Sequence, residues 1–195
     1  KKMLSYEESL KILKETNALL EGHFILSSGL HSAQYIQCAQ LLSKPHKSAN
    51  FCKSLAEKIS KELNKIDLIL SPAMGGIVIG YEIGRLLNVE TIFSERVDGQ
   101  FKLRRDFQIL KNSKVLIVED VITTGKSSIE CSKLVEKAGA KLVGFACLID
   151  RTNGDSSIKK KIISQLEINI PTYKEKDLPK RLISLPAIKP GSRDF

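Results

Sequence analysis

Residues 115–128 read VLIVEDVITTGKSS, an apolar run that ends in two adjacent acids and a Thr-Thr-Gly-Lys-Ser turn. Small hydroxyl side chains, a glycine and the fresh N–H groups of a helix starting at this point form a cradle for one phosphate monoester. The carboxylates of Glu119 and Asp120 repel a phosphate but suit polyol hydroxyls or a hydrated cation. The segment therefore fits a sugar phosphate, with the phosphate on residues 123–127 and the hydroxyls on the two acids. A plainer reading has the acids merely capping a strand–helix turn, but two adjacent carboxylates after an apolar run are an awkward structural choice. The closing Gly-Lys-Ser also resembles the tail of a Walker A loop, Gly-x-x-x-x-Gly-Lys-Ser/Thr. Counting back from Gly125 puts Asp120 where the first glycine belongs, and its charge would stand beside the phosphates. A nucleoside triphosphate loop fails on that position.

The rest of the composition narrows the chemistry. The chain has 195 residues and a net charge of +9, which favours anionic partners: nucleic acid, or a small substrate with several phosphates. The densest basic run, SSIKKKI (156–162), has no interleaved aromatics and reads as a solvated surface, so no nucleic acid is expected. Cys38, Cys52, Cys131 and Cys147 are widely spaced, with no CxxC and no partnered histidines, so neither a metal centre nor a disulfide is indicated. The longest nearly apolar run, LILSPAMGGIVIG (68–80), is about 13 residues and falls short of the roughly 18 that a membrane span needs. The start, KKMLSYEESLKIL, puts two glutamates where a signal peptide is apolar. The expectation is a soluble, cytoplasmic protein.

The elements that must position these residues follow from periodicity. A helix is predicted over 5–20, a hairpin over 23–37, and a second helix opening at Pro45 with an apolar face of Cys52, Leu55, Ala56, Ile59 and Leu63. Strands at 66–70, 91–95, 114–120 and 141–150 alternate with helices at 75–88 and 126–140, and a charged stretch, 96–108, follows the second of these strands. Such alternation of apolar strands with helices predicts an α/β fold, a mostly parallel sheet covered on both faces, in one domain spanning 1–195. Ligands of such sheets bind beyond the carboxyl ends of the strands, here 71–76, 95–106, 119–127 and 150–154.

VLIVEDVITTGKS closely resembles the phosphoribosyl pyrophosphate (PRPP) motif of type I phosphoribosyltransferases. GHFILSSGLHSAQYIQ resembles the hood of the orotate phosphoribosyltransferases in that family, SPAMGGIVIG their pyrophosphate loop, and FSERVDGQFKLRRDF their mobile catalytic loop. LIDRTNG carries an arginine where these enzymes read the orotate carboxylate, and the match runs in order through most of residues 20–154. The resemblance implies a type I phosphoribosyltransferase-like fold with a small hood from about 1–40 and the C-terminal segment. It implies transfer of the phosphoribosyl group from PRPP to orotate, giving orotidine 5′-monophosphate and pyrophosphate. Mg²⁺ would be held mainly through PRPP and water, and a homodimer would share its active sites between subunits.

Residue by residue, the resemblance assigns PRPP binding to Ala73, Met74, Gly75, Gly76, Arg96, Glu119, Asp120, Val121, Ile122, Thr123, Thr124, Gly125, Lys126 and Ser127. It assigns orotate binding to Thr123, Arg151, Tyr35 and Ile36, and catalysis to Arg96, Lys102, Arg104 and Arg105. Many relatives carry lysine at the positions of Gly75 and Ser27 and a histidine in the mobile loop; the loop cations would make good the missing charge. Two rivals remain: a phosphoribosyltransferase for another base, against which Arg151 argues, and a PRPP-sensing nucleic-acid-binding regulator on the same fold.

Overall fold

A computed structural model describes residues 3–26 and 28–190. In chain order the elements are α1 (Tyr6–Glu15), β1 (Leu19–Ile25), β2 (His31–Ile36), α2 (Cys38–Leu42), α3 (Pro45–Glu62), β3 (Leu68–Pro72), α4 (Gly75–Leu87) and β4 (Thr91–Val97). They continue with β5 (Gln100–Leu103), β6 (Lys114–Ile122), α5 (Lys126–Lys137), β7 (Lys141–Asp150), β8 (Ile162–Glu167), β9 (Thr172–Tyr173), α6 (Lys180–Ile183) and β10 (Ala187–Ile188).

The main sheet has six strands in the order β5-β4-β3-β6-β7-β8, parallel except for β5. Side chains alternate across β6. Leu116 and Val118 enter one core with Leu13, Phe51, Leu55 and Ile59, while Val115 and Ile117 enter the other with Leu70, Cys131 and Val135. Burial on both faces explains why the strands read as continuous apolar runs. The four cysteines are all free and buried. Burial pushes the Cys52 and Cys131 thiols up to about 12, so they behave as small core residues. A second sheet, β10-β1-β2-β9, forms the hood, and the C-terminal strand joins it beside β1. Buried His23 and His31 meet there at 2.7 Å, and His23 also bonds the Leu185 carbonyl at 3.1 Å.

Three predicted elements need correction. The helix expected over 5–20 ends at Glu15, and Leu20 belongs to β1. Asn17 takes a left-handed conformation (φ 58°), which turns the chain out of the helix and sends Ala18 and Leu19 into the core. The charged stretch after residue 95 is not irregular: β4 runs on to Val97 and pairs antiparallel with β5. Asp98 (φ 51°) and Gly99 (φ 78°) supply the two positive-φ positions of a tight hairpin turn, and an Asp-Gly pair is its strongest sequence signal. The strand placed at 66–70 sits two residues later, at Leu68–Pro72.

Candidate active site

From β3 the chain crosses to β4 on one side, and from β6 it crosses to β7 on the other, so a crevice opens between the carboxyl ends of β3 and β6. A cleft of about 440 Å³ lies in that crevice. It brings together Ala73, Gly75 and Gly76 after β3, Arg96 and Phe101 from the hairpin, Glu119, Asp120 and Val121 at the end of β6, and Thr123 to Ser127 at the start of α5. Met74 stands 83% exposed beside it, and Ile122 is buried in the core beneath.

Two helices begin at this cleft, and neither N-terminus is capped by a side chain. Apart from the Lys126 N–H, which donates weakly to Thr124 Oγ1 at 3.3 Å, their first N–H groups face the cleft, and both helix dipoles favour anionic oxygens. At α5 the N-cap is Gly125 in the left-handed region (φ 79°), and a Cβ there would meet Ile158 Cδ1 at 2.8 Å. Only glycine allows both the turn and this contact. At α4 the Ala73–Met74 peptide is cis, and Gly75 lies directly against the Asp120 carboxylate. The spacing of Gly76, Gly80 and Gly84 is explained within the chain: they face Ser71, Thr91 and the Val118 carbonyl, letting α4 lie close on the sheet.

The acids sit in an unfavourable setting for charge. Glu119 is buried and accepts a bond from Ser128 Oγ at 2.9 Å. Burial raises its carboxyl to about 7, with Asp120 adding to the rise while Ser128 and Arg96 oppose it. Asp120 is raised by burial too, opposed by the Val121 N–H that it accepts at 2.9 Å. Two carboxyls whose charge is disfavoured by burial suit ligand hydroxyls, which donate to carboxylates without adding charge.

Strand pairing divides the hairpin cations. Arg96 lies opposite Phe101, and Glu95 opposite Lys102, so Lys102 leaves the face opposite to Arg96. Arg96 lies 4.2 Å over the Phe101 ring and donates to Gly99 O at 2.8 Å and Glu130 Oε2 at 2.6 Å. Arg105 is drawn back along the hairpin, with Nε and Nη2 each 3.0 Å from the Glu95 carboxylate. Lys102 lies 3.9 Å from Asp98, and Arg104 is exposed. Of the four cations, only Arg96 lines the cleft.

Arg151 follows β7, outside the residues lining the cleft. It is partly buried, its Nε finds no acceptor, and among the described residues it forms no ion pair. Burial lowers its hold on the proton, with Tyr35 and Cys38 pulling the other way. A half-buried guanidinium without a partner is costly unless a ligand anion completes it. Tyr35 is partly buried against Phe24, with ring centroids 5.8 Å apart, whereas Ile36 is packed in the core. Ser27 lies outside the described residues. Sequence reasoning missed Phe101, Ser128 and Glu130. The Asp-Gly turn could have revealed Phe101, since it fixes the alternation of the hairpin; Ser128 and Glu130 gave no signal.

A doubly covered sheet with uncapped helix N-termini and paired acids at its switch point defines a phosphoribosyltransferase-type domain, and a family model described as a phosphoribosyl transferase domain matches residues 39–178. The chain is 49% identical over 191 residues to an orotate phosphoribosyltransferase of Parvibaculum lavamentivorans, covering 97% of this chain and 98% of that one. It is 47% identical over 189 residues to an orotate phosphoribosyltransferase of Rhizorhabdus wittichii, covering 96% of each. The crystal structure of orotate phosphoribosyltransferase from Aeropyrum pernix superposes with a TM-score of 0.66 at 23% identity, covering 81% of this chain and 92% of that one. The chain belongs to the orotate phosphoribosyltransferase family.

Proposed function

We propose that the chain joins orotate to PRPP, releasing pyrophosphate and forming orotidine 5′-monophosphate in pyrimidine biosynthesis. One observation carries the reading beyond family membership: Arg151 is a partly buried guanidinium just past β7 that forms no ion pair among the described residues. A planar fork in that setting suits the carboxylate that distinguishes orotate from the other pyrimidine and purine bases.

In this reading the 5′-phosphate rests on Thr123 to Ser127 and the ribose hydroxyls on Glu119 and Asp120. The pyrophosphate lies along Ala73 to Gly76 under Arg96. Departure of pyrophosphate ahead of full bond formation leaves an oxocarbenium-like ribose. The chain holds the leaving group with N–H groups and a guanidinium, aligns the ring nitrogen, and limits water. Orotate meets Arg151 and Thr123, with Tyr35 beside them.

Mg²⁺ fits the donor set. The cleft offers hard carboxylate oxygens, with Asp120 beside the pyrophosphate loop at Gly75. Mg²⁺ keeps several waters and binds chiefly through substrate oxygens, so one or two carboxylates suffice on the protein side. When bound, Mg²⁺ would neutralise charge developing on pyrophosphate.

A homodimer with shared sites accords with two features. Lys102 leaves the hairpin face opposite to the cleft-lining Arg96. Met74, Val78 and Tyr81, at one-turn spacing along α4 and its N-cap, are 83%, 55% and 68% exposed on a helix that begins at the cleft. Among the described residues no helix is long and apolar enough to cross a membrane.

The test is pyrophosphate release from PRPP and Mg²⁺ with orotate, uracil, hypoxanthine and adenine compared side by side. Turnover with orotate alone is expected. Turnover with another base would discard the role of Arg151, and PRPP binding without turnover on any base would favour a PRPP-sensing regulator.

A further inference from the structure

Arg96 reaches the cleft from β4, but it is fixed from α5. Its Nη2 donates to Glu130 Oε2 at 2.6 Å, its Nη1 to the Gly99 carbonyl at 2.8 Å, and its plane lies over Phe101. Two of its five N–H groups are used in this way, and three remain for a ligand. Glu130 sits on the first turns of the helix whose N-terminus forms the phosphate cradle. One rigid element thus fixes both the cradle and the cation. A second carboxylate lines the same cleft: Glu119, on its floor, is near enough to feel the charge of Arg96 and accepts its bond from Ser128.

We propose that Glu130 is a positioning residue: it parks the Arg96 guanidinium on the cleft wall over Phe101, facing the diphosphate end of the substrate and away from Glu119. This rests on the reading of the cleft as a PRPP site. The pair is only partly buried, with 42% of the Arg96 side chain and 27% of the Glu130 side chain exposed, so its value lies in placement more than in stability. Without Glu130, Arg96 keeps no carboxylate partner among the described residues and is free to turn toward Glu119, which lines the same cleft. That contact would withdraw the cation from pyrophosphate and occupy the acid needed by the ribose.

The experiment is a double-mutant cycle between Arg96→Ala and Glu130→Ala, with Glu130→Gln as the conservative variant. It is read out as the KM for PRPP, the KM for orotate, and the direct affinity for Mg²⁺-pyrophosphate. Glu130→Ala should weaken PRPP and pyrophosphate by about tenfold, the effect of losing roughly one charge-assisted contact, while the orotate KM stays within about twofold. Glu130→Gln, which keeps the acceptor oxygen, should recover most of the loss. In the Arg96→Ala background, removing Glu130 should cost nothing further, because the residue acts through Arg96. A full Glu130→Ala effect in that background, or equal losses for PRPP and orotate, would overturn the proposal as mere distortion of α5. If Arg96→Ala itself leaves PRPP and pyrophosphate affinity unchanged, the PRPP reading of the cleft fails as well. If Arg96→Ala weakens both and Glu130→Ala does not, only the positioning role is lost.

Discussion

The carboxylate of Asp120 fills the space that a side chain on Gly75 would need: a Cβ built there lies 2.8 Å from both Oδ1 and Oδ2. The loop proposed to take the pyrophosphate thus lies directly against the end of β6, and a lysine at position 75 would have no room unless Asp120 moved. Loss of charge at residue 75 and the placement of the acid are one structural choice.

Gly75→Ala should therefore act on PRPP and spare orotate. The methyl group must displace Asp120 from the ribose position, and displacing one acceptor of a bound hydroxyl weakens binding by about tenfold. Steady-state KM values for the two substrates check this; an unchanged PRPP KM would mean that Asp120 has no part in binding.

Arg151→Ala should raise the orotate KM by about 10- to 100-fold, the range for losing a charge-assisted bidentate contact, with the PRPP KM nearly unchanged. Because the guanidinium is partly buried without an ion partner among the described residues, its removal should not lower the melting temperature of the ligand-free protein. Equal rises in both KM values would remove Arg151 from the orotate site.

Glu119 links the site to stability. Its carboxyl is raised by burial from 4.5 to about 7, so the folded state binds a proton that the unfolded chain has released. The sign follows from linkage: the contribution is fully present below about 4.5 and is lost as pH rises through about 7. Above that window the buried charge costs on the order of 3 kcal/mol, because each tenfold change in proton affinity is worth about 1.4 kcal/mol. Glu119→Gln should unfold at nearly the wild-type urea midpoint near pH 4 and at a clearly higher one near pH 8, while losing PRPP affinity. Parallel midpoints across the range would show that the acid is solvated.

Mixing subunits tests the shared site. Lys102→Ala and Arg96→Ala proteins, each impaired alone, should regain about a quarter of wild-type turnover when equal amounts are dissociated and reassembled. Half the dimers are then mixed, and each mixed dimer holds one intact site of two. No recovery would place Lys102 in the cleft of its own chain.

The main sheet and the phosphate cradle were legible in the sequence because their causes are local. β7 follows from an apolar run over its full length, and α5 from a periodic face that begins at Gly125. The hairpin was obscured because its alternation is carried by Glu95, Arg96 and Lys102, whose charges look like solvated loop. β9 and β10 hold two residues each and owe their existence to distant partners on β2 and β1. The Arg96–Glu130 pair spans 34 positions and joins two elements whose separate patterns give no hint of each other.

The hairpin also sets a parity. Positions 94, 96, 101 and 103 share one face and positions 95 and 102 the other, so the assignment of each cation depends on an even or odd count from the turn. Inserting one residue between Arg96 and Asp98 would leave Arg96 in place, because β4 is anchored on β3 through Ser94, but would turn Phe101 outward and bring Lys102 onto the cleft face without changing composition, charge or strand length appreciably. Changes in length within this lineage should then arrive two residues at a time, or be compensated by a bulge. In alignments, the reading frame of this hairpin is a sharper guide to which cation does the work than the identity of any single basic residue.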